Sequence, residues 1–137
     1  VRDDLLASAG EVGALPPEVV LLDSRVAARF AGEVEPLDPK AGHIPGARNV
    51  DWSGALGADG RFLPPERQRE RLAVVEGRDA VLYCGSGVSA AVNLLSLELA
   101  GRPLGRSARL YAGSWSDWVS DDARPVATGR DGETPAS

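Results

Sequence analysis

Ala80-Val81-Leu82-Tyr83-Cys84-Gly85-Ser86-Gly87-Val88-Ser89, running on as Ala90-Ala91-Val92-Asn93-Leu94-Leu95-Ser96-Leu97-Glu98-Leu99-Ala100 and stopped by Gly101, decides the fold. The first four residues are a short apolar run of the length and β-propensity that suit a strand buried on both faces. The last twelve or so carry Val88, Ala91, Val92, Leu95 and Leu99 at spacings of three and four, the pattern of a helix with one apolar face. Small residues join the two. Outward from this unit, Val19 to Leu22 is a second buried-strand run ending at Asp23, Ala108 to Tyr111 a third, and Ala47 to Trp52 a short fourth. Helical stretches lie between them: Arg25 to Ala31, and Glu66 to Val75, which opens on Pro64-Pro65, where a missing N–H costs nothing. Ser114 is placed to cap a last helix through Val119. Glu33 to Gly46, with Pro36, Pro39, Gly42, Pro45 and Gly46, is loop. Strands alternating with helices predict an α/β domain with a mainly parallel sheet and helices on both faces. Residues 1–14 are expected to form a linker or N-terminal helix, 15–120 the domain, and 121–137 a polar, disordered tail.

Composition bounds the function. The chain has 137 residues, 43% hydrophobic and 26% charged, consistent with one packed domain. A net charge of -5 argues against a nucleic-acid surface, which needs a basic excess. No apolar run is long enough to span a membrane, and no secretory signal opens the chain, so a cytoplasmic setting is expected. The single cysteine forms no internal disulfide or CxxC metal site, and His43, also single, adds little to a metal reading. The chain begins at Val1 rather than Met, and a portion of a longer protein is expected.

Cys84 lies at the carboxyl end of a strand, where ligands bind in parallel α/β sheets. Residues 85–89 can turn several N–H groups inward, and the following helix adds its unpaired amides and positive dipole end. Gly85 and Gly87 permit a tight backbone, including positive φ, and Ser86 and Ser89 offer hydroxyl donors. Such a cradle stabilises an anion and favours a cysteine thiolate, the nucleophilic form. From strand, cysteine and helix alone, a nucleophile and a small buried hydrophobe stand about level; the interleaved Gly and Ser, which a buried filler does not require, favour the nucleophile. The GxxxxGK[ST] phosphate loop is absent. A cysteine phosphatase would need an arginine where Ala90 stands.

Four motifs in order then carry a family resemblance. They are Leu21-Leu22-Asp23-Ser24-Arg25 with Arg29-Phe30; Glu35-Pro36 followed by Gly42-His43-Ile44-Pro45-Gly46-Ala47-Arg48-Asn49; Cys84 to Ser89; and Tyr111-Ala112-Gly113-Ser114-Trp115-Ser116-Asp117-Trp118. Over residues 15 to 120 the chain resembles a rhodanese domain, more narrowly the carboxyl-terminal catalytic domain of two-domain thiosulfate/3-mercaptopyruvate sulfurtransferases. The resemblance implies that Cys84 takes the outer sulfur of a donor as a persulfide. A thiophilic acceptor, such as cyanide or a thiol, then removes it, with no cofactor or metal. It implies donor contacts from Arg29 and from Gly85, Ser86, Gly87, Val88 and Ser89. Asp23, at the end of its strand, is read as a supporting residue that anchors the loop or pairs with Arg25, and equally as an ordinary strand-end cap. The CGSGV loop resembles the 3-mercaptopyruvate type, whereas the thiosulfate type carries two cations where Gly85 and Ser86 stand.

The chain also departs from the pattern. An arginine common after Glu-Pro is replaced by Leu37, leaving Lys40 as the cation of that segment, and Ser89 stands for a threonine. The aspartate and histidine that would assist Ser86 belong to an amino-terminal domain, an implied partner that this chain lacks. His43 is expected to shape a turn, and Trp115 and Trp118 to serve the core or a domain contact. The alternative function is a non-catalytic rhodanese-like module that binds a partner or carries sulfur; the retained cysteine argues for the enzyme.

Overall fold

The computed structural model describes residues 5–85, 88–101 and 108–129, with Val88 described by its backbone alone. Four strands form one sheet in the order β2-β1-β3-β4: β1 is Val20–Asp23, β2 Arg48–Asn49, β3 Ala80–Tyr83 and β4 Ala108–Leu110. All three pairings are parallel, with Asp23 opposite both Asn49 and Tyr83. The helices are α1 Ala9–Gly13, α2 Ala27–Ala31, α3 Pro65–Arg71, α4 Val88–Leu99 and α5 Ser114–Trp118.

The apolar strands are buried on both faces because each face has its own core. Leu21, Val81 and Tyr83 pack on one side with Val12 of α1, Phe30 of α2, and Trp115 and Trp118 of α5. Val20, Leu22, Ala80, Leu82 and Cys84 pack on the other with Leu72 and Val75 after α3 and with Ala90 and Leu97 of α4. Period-two alternation along β1 and β3 thus feeds two cores, which is why neither strand shows a polar face.

Three expectations need correcting. The buried face of α4 is Ala90, Asn93, Ser96 and Leu97, continued by Ala100 just beyond it, whereas Leu95 and Leu99 are 42% and 41% exposed. The helix is rotated because Asn93 is drawn inward: its amide donates to Ser24 Oγ at 2.9 Å and to the Val50 carbonyl at 2.8 Å, and it accepts from Arg71 at 2.8 Å. Trp52 opens a 3-10 turn, Trp52–Ala55, rather than ending a strand. The chain from residue 121 is not a loose tail up to Gly129. Ala127 exchanges backbone hydrogen bonds with His43 at 2.8 and 2.9 Å, and Gly129 N–H donates to the Ala31 carbonyl at 2.9 Å. A Cβ on Gly42 (φ 123°) would lie 2.3 Å from the Ala127 carbonyl oxygen, so only glycine permits this docking. Residues 130–137 lie outside the described residues. Among the described residues no helix is long and apolar enough to cross a membrane.

Candidate active site

The carboxyl ends of β1 and β3 lie side by side, and Cys84 is the first residue beyond β3. Its backbone is held from both sides. Ser24 N–H donates to the Tyr83 carbonyl at 2.8 Å. The Cys84 N–H donates to Ser114 Oγ at 3.0 Å, Trp115 N–H donates to the Cys84 carbonyl at 2.9 Å, and Ser116 N–H to the Gly85 carbonyl at 3.1 Å. Ser114 adopts φ 57°, unusual for a residue with a side chain, and its hydroxyl also donates to the Tyr111 carbonyl at 2.9 Å. The start of α5 therefore clamps the Cys84-Gly85 backbone. Ser114 was expected as a helix cap; its hydroxyl serves Cys84 instead, and α5 has no side-chain cap.

Cys84 is only 1% exposed, yet it lines an open cleft of about 270 Å³ together with Arg29, Asp38, Gly85, Ser89 and Ser116. The Arg29 guanidinium lies against Gly85: a Cβ built there would sit 3.1 and 3.2 Å from Nη1 and Nη2. Gly85 does not adopt the positive φ that the sequence allowed for it. What the site takes from this glycine is space, which the arginine fills.

Behind the cleft is a buried ionic network. Arg25 donates through Nε to Asp23 Oδ1 at 3.0 Å and through Nη2 to Oδ2 at 2.6 Å, and Nη2 also reaches the Gly42 carbonyl at 2.6 Å. The guanidinium lies 4.8 Å from the Trp115 ring centroid. Burial alone would lower the Arg25 pKa, but the Asp23 carboxylate outweighs it and holds the guanidinium above its ordinary value. Burial, reinforced by the Asp23 carboxylate, pushes the Tyr83 phenol well above its ordinary value, so it remains neutral. Glu35 joins the two arginines: Oε2 accepts from Arg29 Nη2 at 3.0 Å and Oε1 faces Arg25 Nη1 at 3.4 Å. Burial would raise the Glu35 carboxyl, but the N–H groups of Leu37 and Asp38 and the Arg29 guanidinium together hold it below its usual range.

Of the residues singled out in the sequence, Cys84, Arg29, Gly85 and Ser89 meet at the cleft. Asp23 pairs with Arg25 and supports the site from behind. Val88 opens α4, and Ser86 and Gly87 lie outside the described residues. His43 stacks on Phe30 with ring centroids 3.8 Å apart, and its Nδ1 lies 2.8 Å from the Phe30 carbonyl, as suits a turn residue. Lys40 pairs with Asp122 at 3.0 Å and takes no place in the cleft wall. Trp115 and Trp118 are core residues. No local spacing marks Ser114, which reaches Cys84 across 30 residues, or Asp38, which reaches Ser116 across 78; Glu35 links two nearby arginines through ion pairs that its Glu-Pro setting does not announce. Among the described residues no cluster of His, Cys, Asp or Glu is placed to hold a metal ion.

Known proteins bear out the architecture. The family model described as "Rhodanese-like domain" matches residues 8–121. The chain is 57% identical over 117 residues to the Pseudomonas aeruginosa protein named "Probable 3-mercaptopyruvate sulfurtransferase", covering 82% of this chain and 40% of that protein. It is 47% identical over 114 residues to a Mycobacterium tuberculosis protein provisionally named thiosulfate sulfurtransferase SseB, covering 81% of this chain and 39% of the other. The wild-type structure of EanB superposes with a TM-score of 0.83 at 21% identity, over 93% of this chain and 32% of EanB, a likeness of fold alone. The chain thus spans about two-fifths of the curated relatives it matches. With the matching model covering most of its length, a parallel sheet of the expected order of elements and sulfurtransferase relatives, the chain belongs to the rhodanese-like domain family.

Proposed function

We propose that this domain is a sulfurtransferase that carries a sulfane sulfur on Cys84, from 3-mercaptopyruvate in preference to thiosulfate, to cyanide or a thiol. The observation that carries this reading is the placement of Cys84 at the floor of an open cleft beside the Arg29 guanidinium. In the first half-reaction the Cys84 thiolate attacks the donor sulfur. A sulfur–sulfur bond forms, the donor carbon–sulfur bond breaks, and its electron pair passes to the carbon as an enolate that takes a proton to give pyruvate. In the second, the acceptor attacks the outer sulfur and Cys84 leaves as thiolate. Arg29 binds the donor carboxylate, the clamp from α5 fixes the Cys84 backbone, and residues 85–89 supply donors to the outer sulfur.

The donor preference rests on a loop in which Gly85 and Ser86 bring no positive charge, and on the higher identity to the relative named for 3-mercaptopyruvate. The partial coverage of those relatives supports a companion domain that closes the cleft in the intact protein. Turnover with 3-mercaptopyruvate and cyanide is expected from wild-type protein and not from Cys84→Ser of unchanged circular dichroism. Equal turnover by the two forms would contradict the proposal. Partner binding by both forms without turnover by either would favour a non-catalytic module.

A further inference from the structure

Five charged side chains meet around the Cys84 cleft: Arg25, Arg29, Asp23, Glu35 and Asp38. Both Asp23 oxygens accept from Arg25. Both Glu35 oxygens face the arginines, and Oε2 also accepts the Leu37 and Asp38 N–H groups at 3.1 Å. These two carboxylates balance the two guanidiniums, which leaves Asp38 in excess. Its Oδ1 accepts from the Ser116 hydroxyl at 2.8 Å, a tether to α5 across 78 residues of sequence. Its Oδ2 points towards Arg29 Nη2 at 3.6 Å, too far for a hydrogen bond, and is buried with no hydrogen-bond partner among the described residues. The Nε of Arg29 is likewise buried without an acceptor. The arginine expected to bind the donor's anionic group thus has an unused donor, and the carboxylate beside it has an unused acceptor.

Resting on the sulfurtransferase reading above, we infer that Asp38 is a specificity-determining residue that sorts donors by charge. Its carboxylate stands next to the anion position on Arg29. A monoanionic donor bearing one carboxylate exchanges with the weakly held Oδ2. A dianionic inorganic donor such as thiosulfate meets the same negative charge with twice the repulsion, in a cleft where partial exclusion of water strengthens it. Selection against the wrong donor comes from this repulsion as well as from the uncharged loop.

The test uses the whole chain in a Cys84→Ser background, where binding is read by calorimetry without sulfur transfer. The probes are thiosulfate and pyruvate, a dianion and a monoanion. Asp38→Asn keeps an acceptor for Ser116 and removes the charge. It is expected to tighten thiosulfate about tenfold more than pyruvate, with the difference shrinking as salt rises. Asp38→Glu, which keeps the charge, is expected to hold the wild-type ratio. An unchanged ratio in Asp38→Asn, an equal gain for both probes, or no binding of either probe by that variant would overturn the inference. With Cys84 restored, the ratio of persulfide formation rates should shift the same way. Failure of wild-type protein, lengthened to match its full-size relatives, to take sulfur from either donor would sink the sulfurtransferase reading instead, while the binding ratio still reports on Asp38.

Discussion

Gly85 shows how one missing side chain shapes the site. Its Cα faces the Arg29 guanidinium closely enough that a methyl group there would sit 3.1 Å from Nη1, tighter than ordinary contact. Arg29 is tied to Glu35 and cannot yield without loosening that bond. Gly85→Ala is therefore expected to raise KM for 3-mercaptopyruvate by about tenfold, the scale of one disturbed charge-assisted hydrogen bond, with a smaller change in kcat. Steady-state kinetics with both donors check this; an unchanged KM would separate Arg29 from donor binding. At this scale Cys84 and Gly85 stand in a local pattern, a cysteine among Gly and Ser after an apolar strand, whereas Arg29 is singled out by the family resemblance alone; the three line one cleft. Ser114, Glu35 and Asp38 were not legible in the sequence. Ser114 reaches Cys84 across 30 residues and Asp38 reaches Ser116 across 78, and neither bond leaves a mark on neighbouring letters.

The elements were read well as strands and helices and less well as faces. Strands β1 and β3 are short apolar runs, and the two-core arrangement explains why. The face of α4 was misassigned because hydrophobic spacing cannot foresee a buried Asn93 satisfied by Ser24, Val50 and Arg71. The segment between α2 and β2 is held by ions rather than by regular structure, and Glu35 is its pivot. Because the folded Glu35 carboxyl titrates below its ordinary value, its contribution to stability is fully present above the unfolded carboxyl pKa and is lost as pH falls through the folded one. Thermal stability should therefore fall more steeply below about pH 4 in wild-type protein than in Glu35→Gln, which has no such charge to lose. Parallel acid profiles for the two proteins would show that Glu35 does not pin this segment. The Asp23–Arg25 pair beneath it is a different case: both partners are buried and mutually satisfied, so it fixes the geometry of the cleft wall more than it adds net stability.

For the whole molecule, the domain is closed by a strap that the sequence does not announce. Residues 121–129 are polar and rich in turn formers, yet they return to His43 and Ala31, and Trp118 Nε1 donates to the Pro125 carbonyl at 2.8 Å. The strap packs on the GHIPGA-like segment, whose Gly42 carbonyl accepts from Arg25 behind the cleft. Gly42→Ala meets both a positive φ and the Ala127 oxygen, and a loss on the order of 2–4 kcal/mol is expected. Urea unfolding measures it, and a neutral result would mean that the strap is not part of the cooperative fold.

The central claim is that sulfur resides on Cys84. Intact mass should be recorded after mixing the chain separately with 3-mercaptopyruvate and with thiosulfate, before and after cyanide. The account predicts a gain of one sulfur atom, larger in yield with 3-mercaptopyruvate, that cyanide removes and Cys84→Ser abolishes. A gain that persists in Cys84→Ser, or no gain from either donor in a protein lengthened to match its full-size relatives, would contradict it.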